Sequence, residues 1–440
     1  MKTFRLLPLF VAISAGLSLP VQAQSLVDLY ESARGFDAAY QSAKSQYDAT
    51  LAKAEQGKAA ILPTVGLALG TTITNLENTL ATPPKPTYGT QTATLSASQP
   101  LYRPGNLALY QKSLKQIDLA QAQLASADQD LIVRVSQGYF DVLASQDSLT
   151  FVKAQKAAVA EQLASAKRNF EVGTATITDT REAQAQFDLI LAQEMAAEND
   201  LRVKQIALDQ LVGKNETQPQ ALALPLALPA LLPNDVNAWV QQSVADHPSI
   251  KQKDVALEAA KLDTRIAEAG HKPTLDLTGG YNITQNNGTE KTAADYRTNA
   301  ASIGLSFNLP LFAGFATQNR IKETLALEDQ ARNDLEGVKR AIAQGTRTAF
   351  FGVQSGLSQV KAFEAAEASS QSALDATKLG YQVGVRINLD VLNSQSLLFS
   401  TKAKLAKARY DVLLGGLKLR QANGTLKADD LQSVNALLVK

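Results

Sequence analysis

Four short segments of the chain alternate large apolar residues with small or polar ones at a period of two. In TVGLALGTTIT, Val65, Leu67, Leu69 and Ile73 share one face, and Gly66, Ala68, Gly70 and Thr72 share the other. In TLDLTGGYNIT, Leu275, Leu277, Tyr281 and Ile283 stand opposite Asp276, Thr278, Gly280 and Asn282. TATLSASQPL and ASIGLSFNLPL continue the arrangement, with Leu95 in one and Ile303, Leu305 and Phe307 in the other on the apolar side. This alternation predicts strands with one apolar face and one small, polar face. The segments from Gly105 to about Ala166 and from about Gln318 to Leu379 contain no proline, so each can be a nearly continuous helix of roughly 90 Å at 1.5 Å per residue. Shorter helical regions are predicted over about 25–60 and 234–270, each ending at a proline that begins an extended segment.

The same order occurs twice. FEVGTATITD, Phe170 to Asp179, returns as YQVGVRINLD, Tyr381 to Asp390, an offset of 211 residues, and Pro63 and Tyr102 are matched by Pro273 and Phe312 at an offset of 210. A repeat of this length is a duplicated half-domain, since solenoid units are far shorter. After the second VG turn Val391, Leu398, Leu405, Val412 and Leu419 recur every seven residues, and in the first half Thr180, Phe187, Glu194, Leu201 and Leu208 occupy the matching phase. Sustained heptads rich in alanine predict close helix-to-helix packing, as in a coiled coil or helical tube; a core stripe of an ordinary bundle is the alternative.

The divisions that follow are a signal peptide over 1–23, a first repeat over 24–221, a Pro-rich linker over 222–234, a second repeat over 235–431 and a tail over 432–440. The signal reading rests on Lys2 and Arg5, an apolar run from Leu6 to Leu17, and small residues at Val21 and Ala23. Composition changes this picture mainly by exclusion. The net charge of +1 and the lack of a basic patch give no reason to expect nucleic acid. An exported chain without cysteine must be stabilised by packing or oligomerisation. With only His247 and His271, both beside helix ends, and no supported nucleophile, metal or phosphate-binding motif, an enzyme, a metal or a cofactor is not expected.

Alternating strands suit a half-buried soluble sheet or a membrane barrel whose strands face lipid outside and water inside. Tyr88, Tyr102, Tyr281, Tyr296 and Phe312 are expected near strand ends, where a barrel carries aromatics. Four strands cannot close a barrel, and open edges cannot face lipid, so several chains would have to contribute.

Taken together, NFEVGTATITDTREAQAQFD, GHKPTLDLT, SIGLSFNLPLF and GYQVGVRINLDVLNSQSLL resemble the TolC family of outer-membrane efflux and secretion ducts, over essentially Leu26 to Leu431. The resemblance implies an α+β fold: a homotrimer in which each chain gives four strands to a twelve-strand outer-membrane β-barrel that continues into a long periplasmic α-helical coiled-coil barrel. It implies a passive exit duct for drugs or for type I protein secretion. Its partners would be a periplasmic adaptor, an inner-membrane ABC or proton-driven transporter, and outer-membrane lipid. Residue by residue, it implies gating roles for Thr178, Asp179, Tyr381 and Arg386, with further links at Gln162, Glu336 and Arg409. Arg386 would bond Asp179, with Tyr381 sharing the carboxylate, although Asp179 also starts a D-x-x-E pattern that could cap a helix. Asp390 matches the first of two acidic rings at the family's entrance, whereas the second position holds Asn393. Val172, Gly173, Val383 and Gly384 match the turns on which the adaptor docks. A soluble periplasmic coiled-coil scaffold is the competing function, and an envelope hydrolase lacks any constellation to support it.

Overall fold

The computed structural model describes residues 23–77, 83 and 85–439, so the signal segment before residue 23 lies outside the described residues. The chain runs α1 (Leu26–Phe36), α2 (Ala38–Ala59), β1 (Thr64–Asn75), β2 (Thr87–Tyr102), α3 (Pro104–Glu171) and α4 (Ile177–Val212). The second half repeats this as α5 (Val236–Asp246), α6 (Pro248–Glu268), β3 (Thr274–Asn287), β4 (Asp295–Asn308), α7 (Ala316–Gln382) and α8 (Asn388–Ala422), followed by α9 (Asp430–Asn435). The four strands form one antiparallel sheet in the order β1-β2-β3-β4. At 68 and 67 residues, α3 and α7 are each about 100 Å long at 1.5 Å per residue.

The strand pairing aligns the expected faces. Leu67, Leu95, Tyr281 and Ala301 form one row across the sheet, so large side chains collect on one side. That side is uncovered in the single chain: Val65, Leu69, Ile73 and Ile303 are 71 to 81 % exposed. On the other side small polar groups bond across strands, Thr90 Oγ1 to Asn286 Oδ1 at 2.7 Å and Thr94 Oγ1 to Asn282 Oδ1 at 2.8 Å. Tyr281 lies in the middle of β3, which corrects its expected place near a strand end. No helix among the described residues is long and apolar enough to cross a membrane.

Neither short helical region is continuous. The first breaks at Asp37, the second at His247, and these positions are 210 residues apart. In each case the break residue caps the following helix: Asp37 Oδ1 accepts from Tyr40 N–H (2.8 Å), and His247 Nδ1 accepts from Ser249 N–H (3.1 Å). Burial lowers the imidazole's pKa, which favours the neutral form needed for that acceptor role. Neither break divides the predicted regions, because a single capping residue interrupts the backbone without changing the composition around it.

The principal core lies midway along α3, where Leu131, Ile132, Val135 and Tyr139 meet Leu26 and Leu29 of α1, Leu208 of α4, Leu413 and Leu417 of α8, and Leu431 of α9. The segment that follows α4, just before the Pro-rich linker, ties this level to both ends of the described chain. Gln24 N–H donates to Gln218 O (2.8 Å), Val439 N–H to Ala221 O (2.8 Å), and Tyr139 Oη–H to Gln220 O (2.8 Å).

Arg134 on α3 grips Asp37 through two bonds of 2.8 and 2.9 Å. The guanidinium and the Tyr40 amide hold the Asp37 carboxyl below its ordinary range. Its stabilising contribution is therefore complete above the unfolded carboxyl's pKa of about 3.9 and is lost as pH falls through the lower folded value. Asp37→Asn keeps a cap but removes the charge, so its melting temperature should fall less steeply than that of wild type below about pH 4. Parallel melting curves for the two proteins would refute this.

Candidate functional site

The two hairpin ends are built alike. Val172 and Val383 both have φ −91° and ψ 3°, and the following Gly173 and Gly384 take φ +78° and +80°. That left-handed conformation is closed to most side chains, which is why glycine stands there. Thr174 N–H reaches back to Asn169 O (2.8 Å) and Gly173 N–H to Phe170 O (3.0 Å); Val385 N–H reaches Gly380 O (2.9 Å) and Gly384 N–H reaches Tyr381 O (3.1 Å). Each is a Schellman ending that satisfies the last helical carbonyls and reverses the chain. The valines stay outside, with Val172 and Val383 largely exposed.

The helices leaving these turns start differently. Thr176 caps α4: its Oγ1 accepts from Asp179 N–H (3.2 Å), while Asp179 Oδ2 accepts from Thr176 N–H (2.9 Å) and Thr176 Oγ1–H (2.8 Å). Asp179 is thus the third residue of a capping box begun by Thr176, which corrects the D-x-x-E pattern that would have made it the cap. In α8 the corresponding cap is Ile387, which has no acceptor, and the Asp390 carboxylate is 3.6 Å from Arg386 Nη1. Within one chain Arg386 therefore meets Asp390 rather than Asp179, because it stands in the turn just before the α8 cap, beside the first helical turn that carries Asp390. Gly380 makes room for the Arg386 stem, since a Cβ there would fall 2.8 Å from Arg386 Cγ.

Tyr381 packs on Leu374, Val391 and Leu398, and its Oη accepts from Asn169 Nδ2 (3.4 Å) instead of sharing the Asp179 carboxylate. Gln162 donates from Nε2 to Asn388 Oδ1, and Asn388 Nδ2 donates to Asp179 O (3.4 Å). Asn388 is 1 % exposed, so one buried amide joins α3, α4 and α8. Sequence reasoning missed Asn388 and Asn169 because neither carries charge, and Asn388, although inside the repeated VG segment, has Ile177 as its duplicate. The signal that could have found Asn388 is Gln395 seven residues later, a second uncharged polar residue in the same phase of α8, which is also buried.

The other expected links lie elsewhere. Glu336 is 45 residues before Tyr381 on α7, about 68 Å away along the helix, and it pairs with Lys339 (2.8 Å). The helix length removes it from the entrance. Arg409 sits 21 residues into α8, about 32 Å from its start, and joins Glu364 of α7 (2.9 Å) within one hairpin. Thr178 is exposed in the first turn of α4, and Asn393 is exposed one turn beyond Asp390. Further along, the heptad residues Val391, Leu398, Leu405, Val412 and Leu419 are all buried. Glu194, the charged member of the first half's matching set, is buried against Lys156.

The family model described as outer membrane efflux protein matches twice, over residues 29–214 and 239–425. The chain belongs to the outer membrane efflux protein family. It is 34 % identical to the outer membrane protein TolC of Vibrio cholerae, with 98 % of each chain covered. It is 29 % identical to the alkaline protease secretion protein AprF of Pseudomonas aeruginosa, over 95 % of this chain and 88 % of that one. Its fold matches the CmeC outer membrane channel of Campylobacter jejuni with a TM-score of 0.80 at 14 % identity, covering 94 % and 90 % of the two chains. The two matches of the family model agree with the tandem duplication seen in the sequence and the backbone. As a member of this family the chain is an outer-membrane exit duct for efflux and type I secretion, which removes the soluble periplasmic scaffold. Its family and structural neighbours are channel proteins.

Proposed function

We propose that three copies close their sheets into one twelve-strand barrel and their hairpins into a single periplasmic tube, forming a passive conduit that performs no chemistry. The sheet carries the barrel reading: its apolar face is uncovered and its edge strands β1 and β4 have no outer neighbour in the chain's own sheet. In lipid each unpaired edge group would cost several kcal/mol, and a barrel needs about eight strands or more, so only further copies can complete it. In this reading residues 24–221 and 235–431 are the two repeats, 222–234 and 432–440 belt the middle of the tube, and 1–23 is removed on export.

The hairpin ends form the entrance. Val172, Gly173, Val383 and Gly384 receive the helical hairpins of a periplasmic adaptor, which recruits an inner-membrane transporter of the ABC or proton-driven kind. Gln162 and Tyr381 hold the two hairpins together within a chain, and Arg386, exposed beside Asp390, reaches Asp179 and Thr178 of the neighbouring copy. Three Asp390 carboxylates focus cations at the opening, and Asn393 leaves that ring single. Opening separates the hairpins in a shift between two packings.

Conductance of the purified protein in a planar bilayer tests this. Wild type should show a small, cation-preferring conductance that rises in Arg386→Ser, and Asp390→Asn should weaken the preference for cations. Silence from correctly folded protein would overturn the conduit, and a conductance unchanged in Arg386→Ser would remove that residue from the gate.

A further inference from the structure

One row of the sheet's outward face is polar across its full width, although the row above it begins with Ile73. Rows descending from the β1–β2 and β3–β4 connections place Thr71, Gln91, Gln285 and Arg297 side by side across all four strands, and the row beneath runs Leu69, Ala93, Ile283 and Asn299, apolar on its first three strands. From Arg297 down to Phe307 is ten residues of β4, about 34 Å along the strand and about 26 Å in height at a tilt of about 40°. This matches the ~25 Å apolar band of a membrane barrel. With Phe307 at the lower rim, the Arg297 row stands at the upper one, level with lipid headgroups and at the end of the strands far from the helices.

A shallow recess is formed there by Leu69, Gln91, Ala93, Ile283, Gln285 and Arg297. Ala93 is its floor because it is a small residue between Leu69 and Ile283 in one row. Arg297 is exposed, and its one hydrogen bond among the described residues runs from Nε to Asn299 Oδ1 (3.1 Å). That bond orients the guanidinium and leaves both terminal nitrogens for a ligand. Asp295 lies on the same face one row further out, beside Asn287, and makes no ion pair with Arg297 among the described residues. A free guanidinium fork beside two amide side chains suits the oxygens of a phosphate, and the apolar notch below suits the acyl chain that hangs from a lipid's headgroup.

We infer that each chain carries, at Arg297 with Gln91 and Gln285, a binding site for the phosphate-bearing headgroup of an outer-leaflet lipid, with Leu69, Ala93 and Ile283 receiving its first acyl chain. The inference rests on the barrel reading above. It makes the upper rim a specific anchor and not merely a greasy belt, and it sets the depth of the barrel in the membrane.

The purified protein in detergent would be titrated, under native mass spectrometry, with phosphatidic acid, with diacylglycerol of the same chains, and with inorganic phosphate. Phosphatidic acid should bind about tenfold more tightly than diacylglycerol, Arg297→Gln should lose that margin, and Arg297→Lys should keep part of it. Inorganic phosphate should not displace the lipid at equal concentration. Equal binding of the two lipids, or full retention by Arg297→Gln, would overturn the site, and displacement by inorganic phosphate would overturn its assignment to lipid. Because Arg297 is exposed, the variant should keep the wild-type assembly mass and conductance. A protein that conducts but shows no phosphate preference refutes only this site, whereas one that neither conducts nor binds lipid refutes the barrel.

Discussion

Replacing Asn388 with alanine is expected to leave the entrance open. In each chain the buried amide accepts from Gln162 and donates to the Asp179 carbonyl, so alanine leaves two polar groups without their partner between the hairpins. An unsatisfied buried group costs about 1–3 kcal/mol, so about 2 kcal/mol per chain amounts to about 6 kcal/mol for three chains opening together. About 5.5 kcal/mol moves a two-state equilibrium from 1:99 to 99:1. Single-channel records should therefore pass from mostly closed to mostly open while the melting temperature changes little. The exposed Arg386–Asp390 pair, at 3.6 Å, contributes at most about 1 kcal/mol within a chain, so Arg386→Ser can rival Asn388→Ala only through contacts between copies. An Asn388→Ala channel that stays as closed as wild type would show that the hairpins are held elsewhere.

The second large effect is on folding. Gly424 ends α8 with φ +82°, and a Cβ there would lie 2.4 Å from His247 Cα and 2.8 Å from His247 N. The clash is with backbone at the α5–α6 break, so no rotamer change relieves it. Gly424→Ala combines a left-handed alanine with overpacking, at about 1–2 and about 1–3 kcal/mol, for a loss near 3 kcal/mol. A thermal melt should detect a fall of several degrees, or the variant should fail to accumulate. An unchanged melting temperature would mean the break can move aside. The duplicate position, Gly213 at φ +69°, faces the Phe36 ring instead, with a Cβ 2.4 to 2.7 Å from ring atoms. A ring can shift more readily than a backbone, so Gly213→Ala should cost less.

Much of the entrance was legible for one physical reason: the chain states it twice. A glycine at each VG turn, prolines before each strand pair, and heptads in one phase survive in both halves because each half must make the same reversal and bury the same stripe. Partner choice was not legible. Asp179 could be read as a cap or as an ion-pair partner of Arg386; within one chain the cap is Thr176, three residues earlier, and Asp179 completes its capping box. Glu336 and Arg409 were assigned to the entrance by resemblance, yet position along a rigid helix puts them about 68 and 32 Å away from it.

By itself the sequence determined the elements: four alternating strands, two very long helices, the VG turns and the duplication that orders them. Each is local, written in periods of two, three and a half or seven and in the placement of glycine and proline. The tertiary structure alone decided what depends on residues far apart in the chain meeting. It brought Asn388 of the second half onto Gln162 and Asp179 of the first, seated the ends of α4 and α8 on breaks more than 170 residues away, and aligned Thr71, Gln91, Gln285 and Arg297 into one row. Such meetings follow from strand register and helix packing, which no stretch of a single strand or helix encodes.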